Sequence, residues 1–138
     1  MVDRTLVLRK IADLDQYLAQ IQDYAATTVE QYAQDWKTQR IVERTLQMMV
    51  ETCLDIAGHV IADQQLRVPD NYADSFKVLN ENEIIGDRLL KPMVEMARFR
   101  NIIVHHYDKI DPPIVVNILR KHLKDFTRFK NAILEHLG

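Results

Sequence analysis

The stretch WKTQRIVERTLQMMVETCLDIAGHVIA, residues 36–62, decides the fold class. Val42, Leu46, Met49, Cys53, Ala57 and Val60 recur at three- and four-residue steps and form one apolar stripe, with Ile41, Met48 and Ile56 adding a second beside it. A helix apolar over more than half of its circumference belongs at the centre of a bundle or is partly covered by another chain. Its polar positions are ordered as well. Glu43, Gln47, Glu51, Asp55 and His59 recur every four residues, each next to its neighbour on the surface, in a row that drifts around the helix.

Working outward, Val7, Ile11, Leu14, Leu18, Ile21 and Ala25 keep the same period and predict an amphipathic helix over residues 4–26. Beyond the central segment, Val68-Pro69-Asp70-Asn71 reads as a turn. Tyr72 to Leu79 then reads as one or two helical turns anchored by Phe76 and Leu79, and Asn80 to Gly86 as a connection. Asp87 is the expected cap of a helix carrying Leu89, Leu90, Met93, Val94 and Ala97, in which Pro92 bends the axis or leaves one carbonyl unpaired. A last helix is expected from Asp111 as N-cap and Pro112 at the first position, with Val115, Ile118, Phe126, Phe129 and Ile133 on one face. The expected architecture is all-α: an up-and-down four-helix bundle with a short extra helix, in one domain spanning residues 1–138.

Composition agrees with this and excludes several functions. Three glycines and four prolines in 138 residues leave little material for tight β-turns. A net charge of -2 provides no global basic field, so any phosphate contact has to come from a local cluster. Cys53 is the only cysteine and cannot form an intrachain bridge, which suits a reducing cytoplasm. No apolar run approaches the 18 or so residues of a membrane span, and the N-terminus has no signal-peptide pattern.

One stretch is chemically dense: RFRNIIVHHYDKID, residues 98–111, places Arg100, Asn101, His105, His106 and Tyr107 within about two turns. On an ideal helix Asn101 and His105 share one face, and Arg100, Val104 and Tyr107 share another. Arg100 and His105 lie about 140° apart, so they converge only if the arginine reaches over, the helix end distorts, or a second chain contributes. In a two-fold dimer with its axis near this helix, both copies face one cleft. Arginine offers a planar fork that pairs with phosphate oxygens and stays charged. Histidine titrates near neutrality and exchanges a proton with a hydroxyl or a leaving oxygen. Together they suffice for metal-free attack of an RNA 2'-hydroxyl on its neighbouring phosphate, with Asn101 holding a ligand oxygen or the imidazole.

The run Arg100-Asn101-Ile102-Ile103-Val104-His105-His106-Tyr107 resembles the R-polar-x3-H motif of the HEPN superfamily, and more narrowly the R-x4-H-x-Y motif of HepT-type toxins. The similarity extends over nearly the whole chain, through ERTLQMMVETCLDIAGHVI and PDNYADSFKVLNENEII to the final helix. It implies an all-α homodimer whose Arg100 and His105, from both subunits, form a composite metal-independent ribonuclease site without a cofactor, acting on messenger or transfer RNA. It further implies an MntA-type nucleotidyltransferase antitoxin as partner, transferring AMP from ATP to Tyr107. His106 occupies the variable position and is given a lesser supporting role, as is Asn101.

Plainer readings stand beside this one. Arg100 pairs structurally with Glu51 or Asp55 on the long helix, a role compatible with catalysis if Glu51 orients the arginine. The ladder Glu51, Asp55, His59 lacks the paired Glu-x-x-His of bundle di-metal sites, so no metal is expected there. Tyr17, Tyr24, Tyr32, Trp36 and Tyr72 are scattered over separate elements and read as packing or rim residues. Lys121, Lys124, Arg128 and Lys130 read as a solvated face matched to a helix dipole, or as a guide for RNA. The rival functions are a non-catalytic HEPN module that binds a nucleotide or regulates a nucleotidyltransferase, and a helical dimerisation protein.

Overall fold

The structure, a computed structural model, describes residues 3–138; Met1 and Val2, which open the expected domain, lie outside the described residues. The helices are α1 (Arg4–Ile21), α2 (Val29–Gln34), α3 (Trp36–Asp63), α4 (Tyr72–Glu81), α5 (Asp87–His105), α6 (Pro112–Lys121) and α7 (Leu123–Leu137). Two 3-10 turns, Gln22–Tyr24 and Tyr107–Lys109, complete the elements, and no strand occurs among the described residues. None of the described helices is long and apolar enough to cross a membrane.

Side-chain oxygens set most of the starts. Asp3, Asp35 and Asn71 accept the Leu6, Thr38 and Asp74 amides at 3.1, 3.1 and 2.8 Å and so begin α1, α3 and α4. The sequence reading missed α2. Its signal is the capping box Thr28-Val29-Glu30-Gln31, in which Thr28 and Gln31 each accept the other's amide. Gly86, in an extended conformation, is the N-cap of α5; Asp87 is instead its first residue and accepts from the Asn80 amide group at 2.9 Å. Asp111 holds the N-cap position of α6, but its side chain makes no capping bond.

The last helix is two. At His122 the helix is interrupted by a turn with a stretched backbone (φ -119°, ψ -1°), and the ring Nδ1 lies 2.8 Å from the buried Asp125 carboxylate, which also receives Arg128. The break lets α6 lie on α2 while α7 packs against α1, α3 and α5. All five residues expected on the apolar face, Val115, Ile118, Phe126, Phe129 and Ile133, are buried on both sides of it.

The main stripe of α3, from Val42 to Val60, is fully buried, and so is Ile56. Ile41 is exposed and Met48 half-buried, so the second stripe reaches the surface at its N-terminal end. One continuous core runs through all seven described helices, α2 contributing Tyr32 and α6 contributing Val115, Val116, Ile118 and Leu119. Within it Phe76 and Phe129 meet edge to face, centroids 5.7 Å apart at 83°. Phe76→Ala is expected to cost about 3–5 kcal/mol, read as a lower urea midpoint at unchanged slope.

Arg67 ties the loop before α4 to that helix. Its guanidinium donates to both Asp74 oxygens at 2.7 and 2.9 Å and to both Glu81 oxygens at 2.8 and 2.9 Å. These bonds hold both carboxyls below their ordinary range. A depressed carboxyl stabilises the fold fully above its unfolded pKa, near 4, and loses that contribution as the pH falls further. Acid titration of stability is therefore expected to be steep below about pH 4 and flatter in Asp74→Asn, which thermal melts at stepped pH would read.

Candidate active site

The site is assembled where the middle of α3, the start of α4 and the end of α5 meet. Arg100, near the end of α5, turns back onto α3: its Nε and Nη2 donate to Glu51 Oε1 at 3.0 and 2.9 Å. Its Nη1 donates to Asn101 Oδ1 at 3.2 Å, and the guanidinium carbon lies 5.0 Å from the Tyr72 ring centroid. Those bonds use three of the five guanidinium N–H groups, leaving one on each Nη for a ligand. The Arg100 side chain is 15% exposed, so its charge is held in place with only a small part of it open to solvent.

Glu51 is itself oriented by Gln47, whose amide donates to the same oxygen at 3.1 Å. Partial burial raises its pKa, but the bonds from Gln47 and Arg100 outweigh that and leave the carboxyl below its ordinary value. It therefore stays a carboxylate through the neutral range. Asp55, the next rung of the ladder, takes Lys10 at 3.1 Å instead, and His59 is exposed. Glu51 and Asp55 thus pair with two different elements, α5 and α1.

Tyr72 stands as a wall between two small clefts. One, of about 220 Å³, is lined by Glu51, Leu54, Asp55, Tyr72 and Arg100. The other, of about 380 Å³, is lined by Pro69, Asn71, Tyr72, Ser75 and Asn101. Tyr72, read from the sequence as a packing or rim residue, stands at the rim of both clefts and packs against Arg100, a partner that the sequence reading did not name.

The rest of the motif does not continue the helix. His105 is its last residue and His106 its C-cap, with the backbone out of helical geometry (φ -140°, ψ 45°). Tyr107 therefore leaves the face that an ideal helix would share with Arg100 and enters the following 3-10 turn, 73% exposed. It borders a different crevice, of about 290 Å³, with Tyr32, Gln39, Arg40 and Glu43. His105 and His106 are exposed, and neither ring makes a hydrogen bond among the described residues. Within one chain the fold thus joins Arg100, Asn101 and Glu51, and leaves His105 and Tyr107 facing solvent at the end of the same helix. That arrangement can grip an anion with a fixed cation and leaves an unbonded imidazole five residues further along the same helix.

The model of the family described as "Ribonuclease HepT-like" matches residues 14–133. The chain is 35% identical to the mRNA nuclease HepT of Shewanella oneidensis over 128 residues, covering 93% of this chain and 96% of that one. It is 23% identical to the tRNA nuclease HepT of Aphanizomenon flos-aquae, covering 99% and 92%. The fold superposes with a TM-score of 0.87, at 35% identity over 98% of this chain and 99% of the other, on the tri-AMPylated Shewanella oneidensis HEPN toxin solved in complex with its MNT antitoxin.

Proposed function

The chain belongs to the HepT-like ribonuclease family, and from that premise we propose that it is a metal-independent RNA endonuclease toxin of a toxin-antitoxin pair. The carrying observation is Arg100: a guanidinium locked by Glu51, Asn101 and Tyr72 with two N–H groups unused within the described chain, five residues before an unpartnered His105. The arginine binds the scissile phosphate and stabilises the charge that builds on it. A neutral His105 takes the proton of the 2'-hydroxyl, whose oxygen forms a bond to phosphorus while the bond to the 5'-oxygen breaks. A protonated imidazole returns a proton to that leaving oxygen, so the products end in a 2',3'-cyclic phosphate and a 5'-hydroxyl.

Two imidazoles in opposite protonation states are available if the protein works as a homodimer. The exposed Tyr72 and Val104 beside the motif, and the open N-terminal end of the second α3 stripe, supply apolar surface for a second copy. Two-fold symmetry then brings both copies of the Arg100 and His105 cluster to one cleft. The single domain of residues 1–138 acts in the cytoplasm, where Cys53, fully buried with its thiol pushed up by burial, stays unreactive. RNA, transfer or messenger, is the substrate, and His106 helps hold it at the rim.

Control comes from an MntA-type nucleotidyltransferase antitoxin that adenylylates Tyr107. The hydroxyl is on an exposed turn directly after the nuclease residues, so it is reachable, and the added phosphates place bulk and negative charge two residues from His105, which repels an RNA approaching the end of α5.

Glu51 is a positioning residue in this scheme. Glu51→Gln is expected to lower kcat about tenfold or more with a smaller change in KM, and Glu51→Asp to recover part of it. The reading itself is tested by incubating the purified protein with a mixed RNA pool in EDTA. Fragments with cyclic-phosphate ends support it; intact RNA, from protein whose mass shows no adenylylation, overturns it in favour of a non-catalytic HEPN module.

A further inference from the structure

A concavity larger than either cleft beside Arg100 lies away from this site. A groove of about 930 Å³ is framed by the end of α1, the first turns of α5 and the break between α6 and α7. Five of the chain's 18 lysines and arginines line it: Arg88, Arg120, Lys121, Lys124 and Arg128. That is a concentrated patch on a chain whose net charge is -2. Its one acid, Asp125, is 3% exposed and already paired with His122 and Arg128, so it is turned away from any ligand.

The cations are otherwise poorly compensated. Arg88, Lys121 and Lys124 are exposed and make no salt bridge or side-chain hydrogen bond among the described residues. Arg120 donates only to the Ala26 and Thr27 carbonyls, at 3.3 to 3.4 Å, which ties the groove wall to the segment after α1 without neutralising it. Like charges gathered in a concave site repel one another, and an anion relieves that repulsion.

We propose that this groove binds the phosphate backbone of the RNA substrate at a distance from the scissile bond, an inference that rests on the nuclease reading above. The placement suits it. Arg88 and Arg100 are twelve positions apart on one helix, about 18 Å along its axis. They also lie about 120° apart around the axis, so an RNA strand reaches both by winding part of the way round α5 as it runs along it. The cations are spread over α5, α6 and α7, which matches a succession of phosphates better than one small anion. The broken last helix acquires a purpose beyond packing: the His122 break sets Arg120 and Lys121 on one wall and Lys124 and Arg128 on the other.

The experiment compares the wild type with Arg88→Glu/Lys124→Glu and with the milder Arg88→Gln/Lys124→Gln, each shown folded by its melting curve. Cleavage kinetics are measured on a long RNA in EDTA, and salt-dependent RNA binding is measured by fluorescence anisotropy in a His105→Ala background. The expected result is a KM raised about tenfold or more by the charge reversal, less by the neutral pair, with kcat unchanged. The slope of log affinity against log salt should fall by about 0.7 for each phosphate that the variant no longer neutralises. An unchanged KM and slope in both variants overturns the proposal. So does weakened capture of the nucleotidyltransferase with RNA binding intact, which makes the groove a protein-docking surface. A wild type that binds RNA through these residues but cuts none overturns the nuclease reading and leaves the groove assigned.

Discussion

His105→Ala is expected to lower RNA cleavage by a factor of about 10²–10⁴, with little effect on stability, because the exposed ring makes no hydrogen bond in the fold and its removal abolishes only proton transfer. Arg100→Ala should lower cleavage by at least about 10²–10³, because the charge building on the phosphate is no longer stabilised. The arginine variant also strips Glu51 of its cation, so a modest fall in melting temperature accompanies the drop in activity. Arg100→Lys is informative: a lysine retains the charge but cannot bridge Glu51 and Asn101 while presenting two further N–H groups, and cleavage is expected to stay near the alanine level. The measurement is the initial rate on a labelled RNA in EDTA, with folding checked by circular dichroism. A His105→Ala protein as active as the wild type would remove the imidazole from the mechanism.

The second large effect concerns control. Tyr107→Phe deletes the hydroxyl that accepts AMP and leaves Arg100, Glu51 and Asn101 untouched, since the ring lies on the turn after α5 and borders a separate crevice. Incubation with ATP and the nucleotidyltransferase should then add no AMP mass to the variant, while the wild type gains one or more increments and loses its nuclease activity. In cells, expression of the variant beside the antitoxin is expected to arrest growth, whereas the wild type with the same partner is tolerated. Adenylate found on Tyr107→Phe would move the acceptor to another side chain, for which the exposed Asp108-Lys109 turn offers no phenol.

The two effects differ because the motif divides at the end of a helix. The periodicity of residues 36–62 and the spacing of apolar residues elsewhere depend only on which side chains leave water together, so the four long helical segments and their buried faces were legible from order alone. Where elements end is decided by caps and by tertiary competition, and there the reading was incomplete. The helix over 4–26 stops at Ile21 and continues as a 3-10 turn, α2 begins on a capping box that carried no apolar period, and α6 is separated from α7 by the bond between His122 and the buried Asp125.

What the order of residues determined by itself is the chemical inventory: an arginine, an asparagine, two histidines and a tyrosine at a family spacing, on a chain with little glycine or proline for tight β-turns and a helical apolar period. What only the tertiary structure decided is which of them act together. Arg100 and Glu51 are 49 positions apart, and nothing in local sequence chooses Glu51 over Asp55. That choice comes from the rotation and rise of α3 against α5, which present Glu51 to the guanidinium and leave Asp55 to Lys10. The basic groove arises the same way: Arg88 and Lys124 are remote in sequence and come to line one groove because a broken last helix packs against α5.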